Sequence, residues 1–142
     1  MIVVVDASVA IKWFFRTAPQ EDHSEKALRL LEEVSDGRTT LCQPVHFVAE
    51  VAAAISRLDP HGALENLNLL LEIDCLFHDG PEIYSLATEL AIRRKYHLFD
   101  TLYHAVALSI PGGIFVTADR RYYDKARAEG QILLLPDWNP AS

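Results

Sequence analysis

Four acidic side chains stand at places in the sequence where a carboxylate could do chemistry. Asp6 directly follows the apolar run Ile2–Val5, and Asp119 follows another short apolar run. Asp100 opens the helical segment LFDTLYHA, and Glu50 lies within the segment FVAEVAAA. If these groups met in space, their repulsion would raise their pKa values unless a divalent cation neutralised them. Hard oxygen donors without His or Cys favour Mg²⁺ or Mn²⁺, so the pattern predicts a carboxylate metal site.

A simpler interpretation stays open for three of the acids. An aspartate between a strand and a helix is a good N-cap, because it accepts hydrogen bonds from the free N–H groups of the first turn. Asp6, Asp100 and Asp119 could each be such a cap. Glu50 is predicted in the middle of an apolar helix face, where only His46 lies one turn away as a partner. A lone glutamate there is costly unless a cation or water meets it, so Glu50 favours the metal site.

The segments that carry these acids alternate between strand and helix patterns. Short β-branched or apolar runs predict strands at 2–5, 39–43, 73–77, 114–117 and 131–135. Helical spacing predicts helices at 7–15, 23–35, 46–58, 81–96, 98–109 and 120–129, and another that begins at Asp59-Pro60 with Leu64, Leu67 and Leu71 on its inner side. This alternation predicts an α/β fold with a parallel sheet covered on both faces. Ligands collect at the carboxyl ends of such strands, where three of the acids fall.

Composition excludes several other classes of protein. The 142 residues, half of them hydrophobic, predict one domain over 1–142. No apolar run approaches the ~20 residues that span a bilayer, and no basic leader precedes the first run, which predicts a cytoplasmic protein without a membrane anchor. Cys42 and Cys75 form no CxxC pair and are predicted to be buried thiols rather than zinc ligands. The net charge of −7 argues against broad electrostatic binding of nucleic acid.

Four segments, in this order and spacing, resemble the PIN-domain nucleases, and most of all the bacterial and archaeal VapC-type toxins of toxin–antitoxin pairs. They are MIVVVDASVAIKWF, PVHFVAEVAAAI, LFDTLYHAVAL and VTADRRYYD, and together they cover nearly the whole chain. The resemblance implies a PIN-like three-layer α/β/α sandwich with a central, mostly parallel five-stranded sheet. It also implies a homodimer, and a cognate VapB-like antitoxin protein that blocks the site.

Matched position by position, the resemblance implies a catalytic quartet of Asp6, Glu50, Asp100 and Asp119. In this family the quartet holds Mg²⁺ or Mn²⁺ for the hydrolysis of RNA phosphodiester bonds by water, which leaves 5′-phosphate and 3′-hydroxyl ends. The resemblance also implies that Ser8 and Thr117 match positions where small hydroxyl side chains often support these acids.

Basic side chains near the motifs could guide RNA to this site. The candidates are Lys12, Arg16, Arg120, Arg121 and Lys125, and a further basic run, 93–95, could instead be favourable charge at a helix C-terminus.

Three other features of the motifs admit a structural interpretation. His104 is interpreted as a structural histidine, with support of Asp100 as the alternative. Asp124 is interpreted as a solvated acid rather than a fifth ligand. The aromatic cluster 13–15 is interpreted as core or dimer contact rather than as a platform for RNA bases.

Other functions remain as alternatives. A phosphotransferase of the haloacid-dehalogenase kind would want a second acid two residues after Asp6, where the chain has Ser8. A receiver domain would cluster acids near its first strand, which VVVDAS does not. The stronger alternative is a catalytically silent PIN-like scaffold that binds only a partner protein.

Overall fold

The computed structural model describes residues 1–15 and 22–140. Its strands are β1 (Ile2–Val5), β2 (Thr40–Gln43), β3 (Leu76–Phe77), β4 (Ile114–Thr117) and β5 (Ile132–Leu134). Its helices are α1 (Ala7–Phe14), α2 (Ser24–Ser35), α3 (Phe47–Leu58), α4 (Ala63–Glu72), α5 (Pro81–Arg94), α6 (Leu98–Leu108) and α7 (Arg120–Ala126). Short 3-10 turns follow at Arg127–Glu129 and Leu135–Asp137.

The five strands form one parallel sheet in the order β3-β2-β1-β4-β5. The order runs from β1 outward to β3 and then returns to β4 on the other side of β1, so the topological switch point lies between β1 and β4. In such sheets, ligands bind beyond the carboxyl ends of the strands at the switch point. Asp6 follows β1 and Asp119 lies two residues beyond β4, which places both at this edge.

The sheet is covered on both faces, as the sequence predicted. Val3, Val4 and Val5 are fully buried, and consecutive strand residues point to opposite faces. Helix α1 contacts β1 and β4, and α6 contacts β1, β2 and β4. The architecture is therefore a three-layer α/β/α sandwich, and the predicted fold class is confirmed.

Two predicted elements differ in the structure. Strand β3 has two exposed residues instead of the five predicted over 73–77. Helix α4 begins at Ala63, because the Asp59 carboxylate accepts the Gly62 N–H at 3.2 Å and holds residues 59–62 in a turn. The predicted inner face of α4, formed by Leu64, Leu67, Leu71 and neighbouring leucines, was wrong in part. Leu70 is buried and Leu67 packs against the core, whereas Leu64 is 76% exposed and Leu71 is also exposed.

Among the described helices, none combines the length and the apolar character that a membrane span requires.

Candidate carboxylate site

Asp6 is held by two hydroxyl groups rather than by the helix that follows it. It stands at the N-cap position of α1, but its side chain makes no capping hydrogen bond. Its Oδ1 accepts the Ser8 hydroxyl, and its Oδ2 accepts Thr117 Oγ1 at 2.5 Å. The interpretation of Asp6 as a side-chain cap was therefore wrong. Asp6 is only 7% exposed and points into the protein at the switch point.

The same two hydroxyls connect the ends of β1 and β4. While each donates to Asp6, each also accepts a backbone N–H from the chain beyond β4. Ser8 Oγ accepts from Ala118 at 3.0 Å, and Thr117 Oγ1 accepts from Asp119 at 3.0 Å. The orientation of the Asp6 carboxylate is therefore fixed relative to Asp119.

Gln43, at the end of β2, fixes the backbone just before Asp6. Its side chain is fully buried, its Oε1 accepts the Val5 N–H at 2.9 Å, and its Nε2 donates to the Val5 carbonyl at 2.6 Å. The β1–β2 pairing extends only to Val3↔Leu41, whereas Val5 is still paired with Val116 of β4. On its β2 side, the Gln43 amide thus takes the place of strand pairing for the residue that precedes the acid.

Asp119 is both a cap and a member of the cluster. Its Oδ1 accepts the Tyr122 N–H at 3.2 Å, which confirms the N-cap interpretation for this residue. Its Oδ2 accepts the Tyr96 hydroxyl at 3.1 Å. Burial and the nearby Asp119 raise the pKa of Tyr96 to about 12, so this phenol stays protonated and acts as the donor.

Asp100 lies in the first turn of α6, and His97 occupies the N-cap position. No side-chain capping bond forms there, so the cap interpretation of Asp100 was wrong. Within the described part of the chain, the Asp100 carboxylate accepts no hydrogen bond. Burial, and then the charges of Glu50 and Asp119, raise the pKa of Asp100 to about 6, while His97 opposes the rise.

The structure places Glu50 in the first turn of α3. The sequence-based prediction, which put Glu50 in the middle of the helix, was therefore wrong. The helix begins at Phe47, and a helix N-terminus favours negative charge. The Glu50 side chain is 33% exposed, so water also reaches it. Its Oε1 accepts the Tyr103 hydroxyl at 2.7 Å, and its Oε2 lies 3.9 Å from His46 Nε2. Because His46 Nε2 lies 2.8 Å from the Phe99 carbonyl oxygen, the exposure of Glu50 and the hydrogen bond from Tyr103 are what explain how the acid is tolerated on an otherwise apolar face.

The pKa of Asp6 also indicates that this acid lies near the other acids of the site. Burial is the largest cause that raises it to about 7, and the charges of Asp100 and Asp119 add to that rise. The hydrogen bonds from Ser8 and Thr117 act in the opposite direction. Charge effects therefore link Asp6 to Asp100 and Asp119, and Asp100 to Glu50.

The donor set at this site fits a hard divalent cation. Over the described residues, no three Asp, Glu, His or Cys side chains converge closely enough to hold a metal ion as they stand. All four acids nevertheless offer oxygen donors of the kind that Mg²⁺ and Mn²⁺ accept, and two of them have raised pKa values. That negative charge is what a cation would relieve.

His104 is a structural residue. It is fully buried, with Nε2 2.8 Å from the Gly130 carbonyl oxygen and Nδ1 2.8 Å from the Tyr122 hydroxyl. Because a carbonyl only accepts, Nε2 carries the proton, and Nδ1 accepts from the tyrosine. Burial lowers the pKa of His104, which keeps it neutral. The structural interpretation is confirmed, and support of Asp100 was not found.

The candidate RNA-binding cations are placed differently from one another. Arg16 lies outside the described residues, and Lys125 is exposed on α7. Arg120 and Arg121 are exposed at the start of α7, directly after Asp119. Lys12 is only 6% exposed, which leaves it little surface with which to meet RNA. Asp124 is exposed, as the sequence predicted for a solvated acid.

The basic run 93–95 has a structural partner that the sequence did not reveal. Arg93 Nε and Arg94 Nε lie 2.8 and 2.6 Å from Glu129 Oε2. Hydrogen bonds from these arginines hold the pKa of Glu129 down at about 2. The two arginines therefore connect the end of α5 to the 3-10 turn after α7.

The remaining predictions concern buried side chains. Trp13 is buried and its Nε1 donates to the Ala27 carbonyl at 2.9 Å, which confirms a core role for it. Cys42 is a buried free thiol, as predicted. Cys75, predicted to be buried in a strand, lies outside β3 and is only half-buried, because β3 is shorter than expected.

Three residues that hold the acids were missed from sequence. Tyr103 lies three residues after Asp100, which is about one helical turn, so the spacing already indicated a shared face. Gln43 was signalled by its polarity at the end of an apolar strand. For Tyr96, which lies outside α6, the sequence offered no such spacing.

Comparison with known proteins yields one family and a set of related folds. The profile of the PIN domain matches residues 3–128. Among curated proteins, none matches the sequence.

Solved structures with this fold include toxin–antitoxin proteins of several bacteria. VapBC2 of Rickettsia felis, crystallised with a DNA fragment from its promoter, has a TM-score of 0.67 at 13% identity, over 94% of this chain and 97% of that one. VapBC-1 of nontypeable Haemophilus influenzae has a TM-score of 0.66 at 14% identity, over 96% and 100%. VapC20 of Mycobacterium tuberculosis, a toxin that cleaves the sarcin–ricin loop, has a TM-score of 0.61 at 18% identity, over 82% and 87%. At these identities the likeness establishes a shared fold.

Proposed function

The chain belongs to the PIN-domain family, and from that premise we propose that it is a metal-dependent endoribonuclease that hydrolyses RNA phosphodiester bonds. The observation that carries the proposal is the placement of acids from separate elements around the switch point of the sheet, where burial and then their charges raise the pKa values of Asp6 and Asp100. Asp6 and Asp119 arrive from β1 and β4, and Glu50 and Asp100 arrive from the first turns of α3 and α6. The raised pKa values of Asp6 and Asp100 support a site arranged for a positive charge.

The four acids would hold Mg²⁺ or Mn²⁺. When bound, such a cation lowers the pKa of a water molecule and polarises the phosphoryl group of the substrate. The protein fixes the donors in advance. Ser8 and Thr117 orient Asp6, while the Tyr122 N–H and the Tyr96 hydroxyl orient Asp119.

Asp100 plays a distinct part in this proposal. Its carboxylate accepts no hydrogen bond from the described residues, so both of its oxygens are available to a ligand. Asp100 also lies near two of the other acids, Glu50 and Asp119, whose charges raise its pKa. Removal of this one carboxylate therefore removes a ligand without releasing any of the hydrogen bonds that hold the site.

RNA carries negative charge, and so does the protein as a whole, with a net charge of −7. Local cations are therefore needed where the substrate meets the site. Arg120 and Arg121 are exposed next to Asp119, and we assign them to the phosphates of the bound strand. Lys12 is left out of this role because it is buried.

The proposal extends to the setting of the enzyme. We propose that residues 1–142 form one nuclease domain, which acts in the cytoplasm as a homodimeric VapC-type toxin. A VapB-like antitoxin would be its inhibitor. The fold likeness to the VapBC proteins of Rickettsia felis and Haemophilus influenzae supports this setting.

The test is cleavage of RNA by purified, antitoxin-free protein. Total bacterial RNA is incubated with the wild type or with Asp100→Asn, in Mg²⁺, in Mn²⁺ or in excess chelator, and 5′-phosphorylated ends are sequenced. We expect a small set of new ends with the wild type and a cation, and at least about a 100-fold reduction in the variant. Equal cleavage by Asp100→Asn, or no new end from the wild type in either cation, would contradict the proposal.

A further inference from the structure

Tyr103 is a buried tyrosine whose hydroxyl reaches one of the four acids. Its side chain is fully buried and its ring stacks on Phe115, with ring centroids 6.0 Å apart and planes at 11°. The edge of Phe47 meets the ring at 6.5 Å and 89°. Because the core fixes the ring, the hydroxyl has a fixed place, 2.7 Å from Glu50 Oε1.

This hydrogen bond joins the two helices that carry acids. Glu50 is on α3, whereas Tyr103 is on α6, three residues and about one turn after Asp100. A glutamate side chain has three rotatable bonds and costs conformational entropy to hold in one place. The Tyr103 hydroxyl donates a hydrogen bond to Glu50 Oε1. The other oxygen, Glu50 Oε2, lies 3.9 Å from His46 Nε2.

We propose that Tyr103 is a positioning residue that holds the Glu50 carboxylate beside Asp100, so that one divalent cation can meet both acids. The inference rests on the proposed function and adds a residue to the site. Groups that orient metal ligands are worth a large factor in affinity, because a ligand that is already in place loses little freedom on binding.

A tyrosine buried in a core also needs a partner for its hydroxyl, whatever its function. Thr101 provides the comparison. It is equally buried, but its Oγ1 donates to the Ala87 carbonyl at 2.8 Å and to none of the four acids. Tyr103→Phe and Thr101→Val therefore each remove one buried hydroxyl group. Phenylalanine keeps the ring of tyrosine and valine keeps the branched shape of threonine, so both variants are expected to fold.

The experiment measures Mn²⁺ affinity without any RNA. Free Mn²⁺ is followed by its electron paramagnetic resonance signal in titrations of the wild type, Tyr103→Phe, Thr101→Val, Glu50→Gln and the double variant Tyr103→Phe/Glu50→Gln. Urea unfolding of each metal-free protein separates affinity from stability. Tyr103→Phe is expected to weaken Mn²⁺ binding by about 10- to 100-fold. Thr101→Val should change it less than about twofold, which is the size of an indirect effect.

The double variant decides how Tyr103 acts. If it acts through Glu50, adding Tyr103→Phe to Glu50→Gln leaves the Mn²⁺ affinity unchanged. An affinity of Tyr103→Phe equal to that of the wild type would overturn the inference, and so would an equal loss in both backgrounds. In either case the proposed function would stand. A wild type that binds no Mn²⁺ would instead overturn the proposed function, and the inference with it.

Discussion

At the scale of single residues, two of the acids keep a proton at pH values where ordinary aspartates are ionised. Burial and neighbouring carboxylates raise the pKa of Asp6 to about 7 and that of Asp100 to about 6. The ionised, metal-free site is therefore under electrostatic repulsion. A bound cation would remove this repulsion, so metal affinity and stability are linked through the same side chains.

This linkage predicts how the stability of the metal-free protein depends on pH. A carboxyl group whose pKa is higher in the folded than in the unfolded protein binds protons more tightly in the folded state. Its protonation therefore stabilises the fold fully at pH values below 3.8, the pKa of an ordinary aspartate. This stabilisation is lost as pH rises from 3.8 through about 6 for Asp100 and about 7 for Asp6. The buried, neutral His104 has the opposite effect, because the free energy of unfolding that it contributes is lost as pH falls below about 6.5. The loss of stability caused by the two aspartates is therefore clearest above about pH 6.5.

Urea unfolding in excess chelator measures the effect. Between about pH 6 and about pH 8 the free energy of unfolding should fall by roughly 1–2 kcal/mol, since a tenfold change in proton affinity is worth about 1.4 kcal/mol. Asp100→Asn should show a smaller fall and should be more stable than the wild type at about pH 8. A wild-type stability that is flat or rises over this range would show that folding does not raise the pKa values of these two acids.

The capping question shows what sequence can and cannot decide about a residue. All three aspartates precede or open a helix, which is the pattern of an N-cap. In the structure only Asp119 makes the capping bond. The Asp6 oxygens are taken by the hydroxyls of Ser8 and Thr117, and Thr117 is 111 residues away in sequence. Local pattern could not reveal a partner at that separation.

At the scale of elements, the end of β1 depends on a side chain of β2. The Val5 N–H and carbonyl are both bonded by the Gln43 amide, and Val5 is fully buried. This arrangement lets the sheet open at its carboxyl edge without leaving backbone groups unpaired. It also fixes the chain immediately before Asp6.

Gln43→Leu is therefore predicted to destabilise the protein by roughly 2–5 kcal/mol, because two buried backbone groups would lose their partners at about 1–3 kcal/mol each. Urea unfolding measures the change. Asn68→Ala, at an exposed position of α4, is the control and should stay within about 0.5 kcal/mol of the wild type. A loss below about 1 kcal/mol in Gln43→Leu would mean that water or a rearranged strand takes over these bonds.

The start of α3 explains the error about Glu50. The Phe47 N–H bonds the Pro44 carbonyl at 3.1 Å, so residues 44–47 form a turn and the helix begins at Phe47. Sequence periodicity alone does not locate such a boundary to one residue. The predicted helix 46–58 starts only one residue before α3, so the error lay in describing Glu50, the fourth residue of α3, as a charge in mid-helix.

At the scale of the whole molecule, the alternation of strands and helices was enough to predict the α/β class and the parallel sheet. Long, strongly periodic helices such as α5 and α6 were predicted almost to their ends. The edge strand β3 and the helix α4 were not, because their limits depend on the Asp59 turn and on pairing with β2. Three of the acids were found because each lies near the end or start of an element, and Glu50 was found because it is a lone charge on an apolar helix face. The contacts of Tyr96, Tyr103 and Gln43 join residues 23 to 53 positions apart, which local sequence patterns do not reveal.

The same scale explains why a cation matters to a protein of this charge. Four of the carboxylates that give the molecule its net charge of −7 lie at one edge of the sheet. An RNA phosphate would meet repulsion there unless the site itself held positive charge. The central claim is therefore that the acids from β1, α3, α6 and β4 form one cation site.

Calorimetric titration of Mn²⁺ into the metal-free protein tests that claim most directly, with Asp124→Asn as the control for loss of an exposed carboxylate from α7. Saturable binding is predicted in the wild type and in Asp124→Asn, with at least about a tenfold loss of affinity in Asp100→Asn. A folded wild type that takes up no Mn²⁺ at millimolar concentration, or an Asp100→Asn protein that binds as the wild type does, would contradict it.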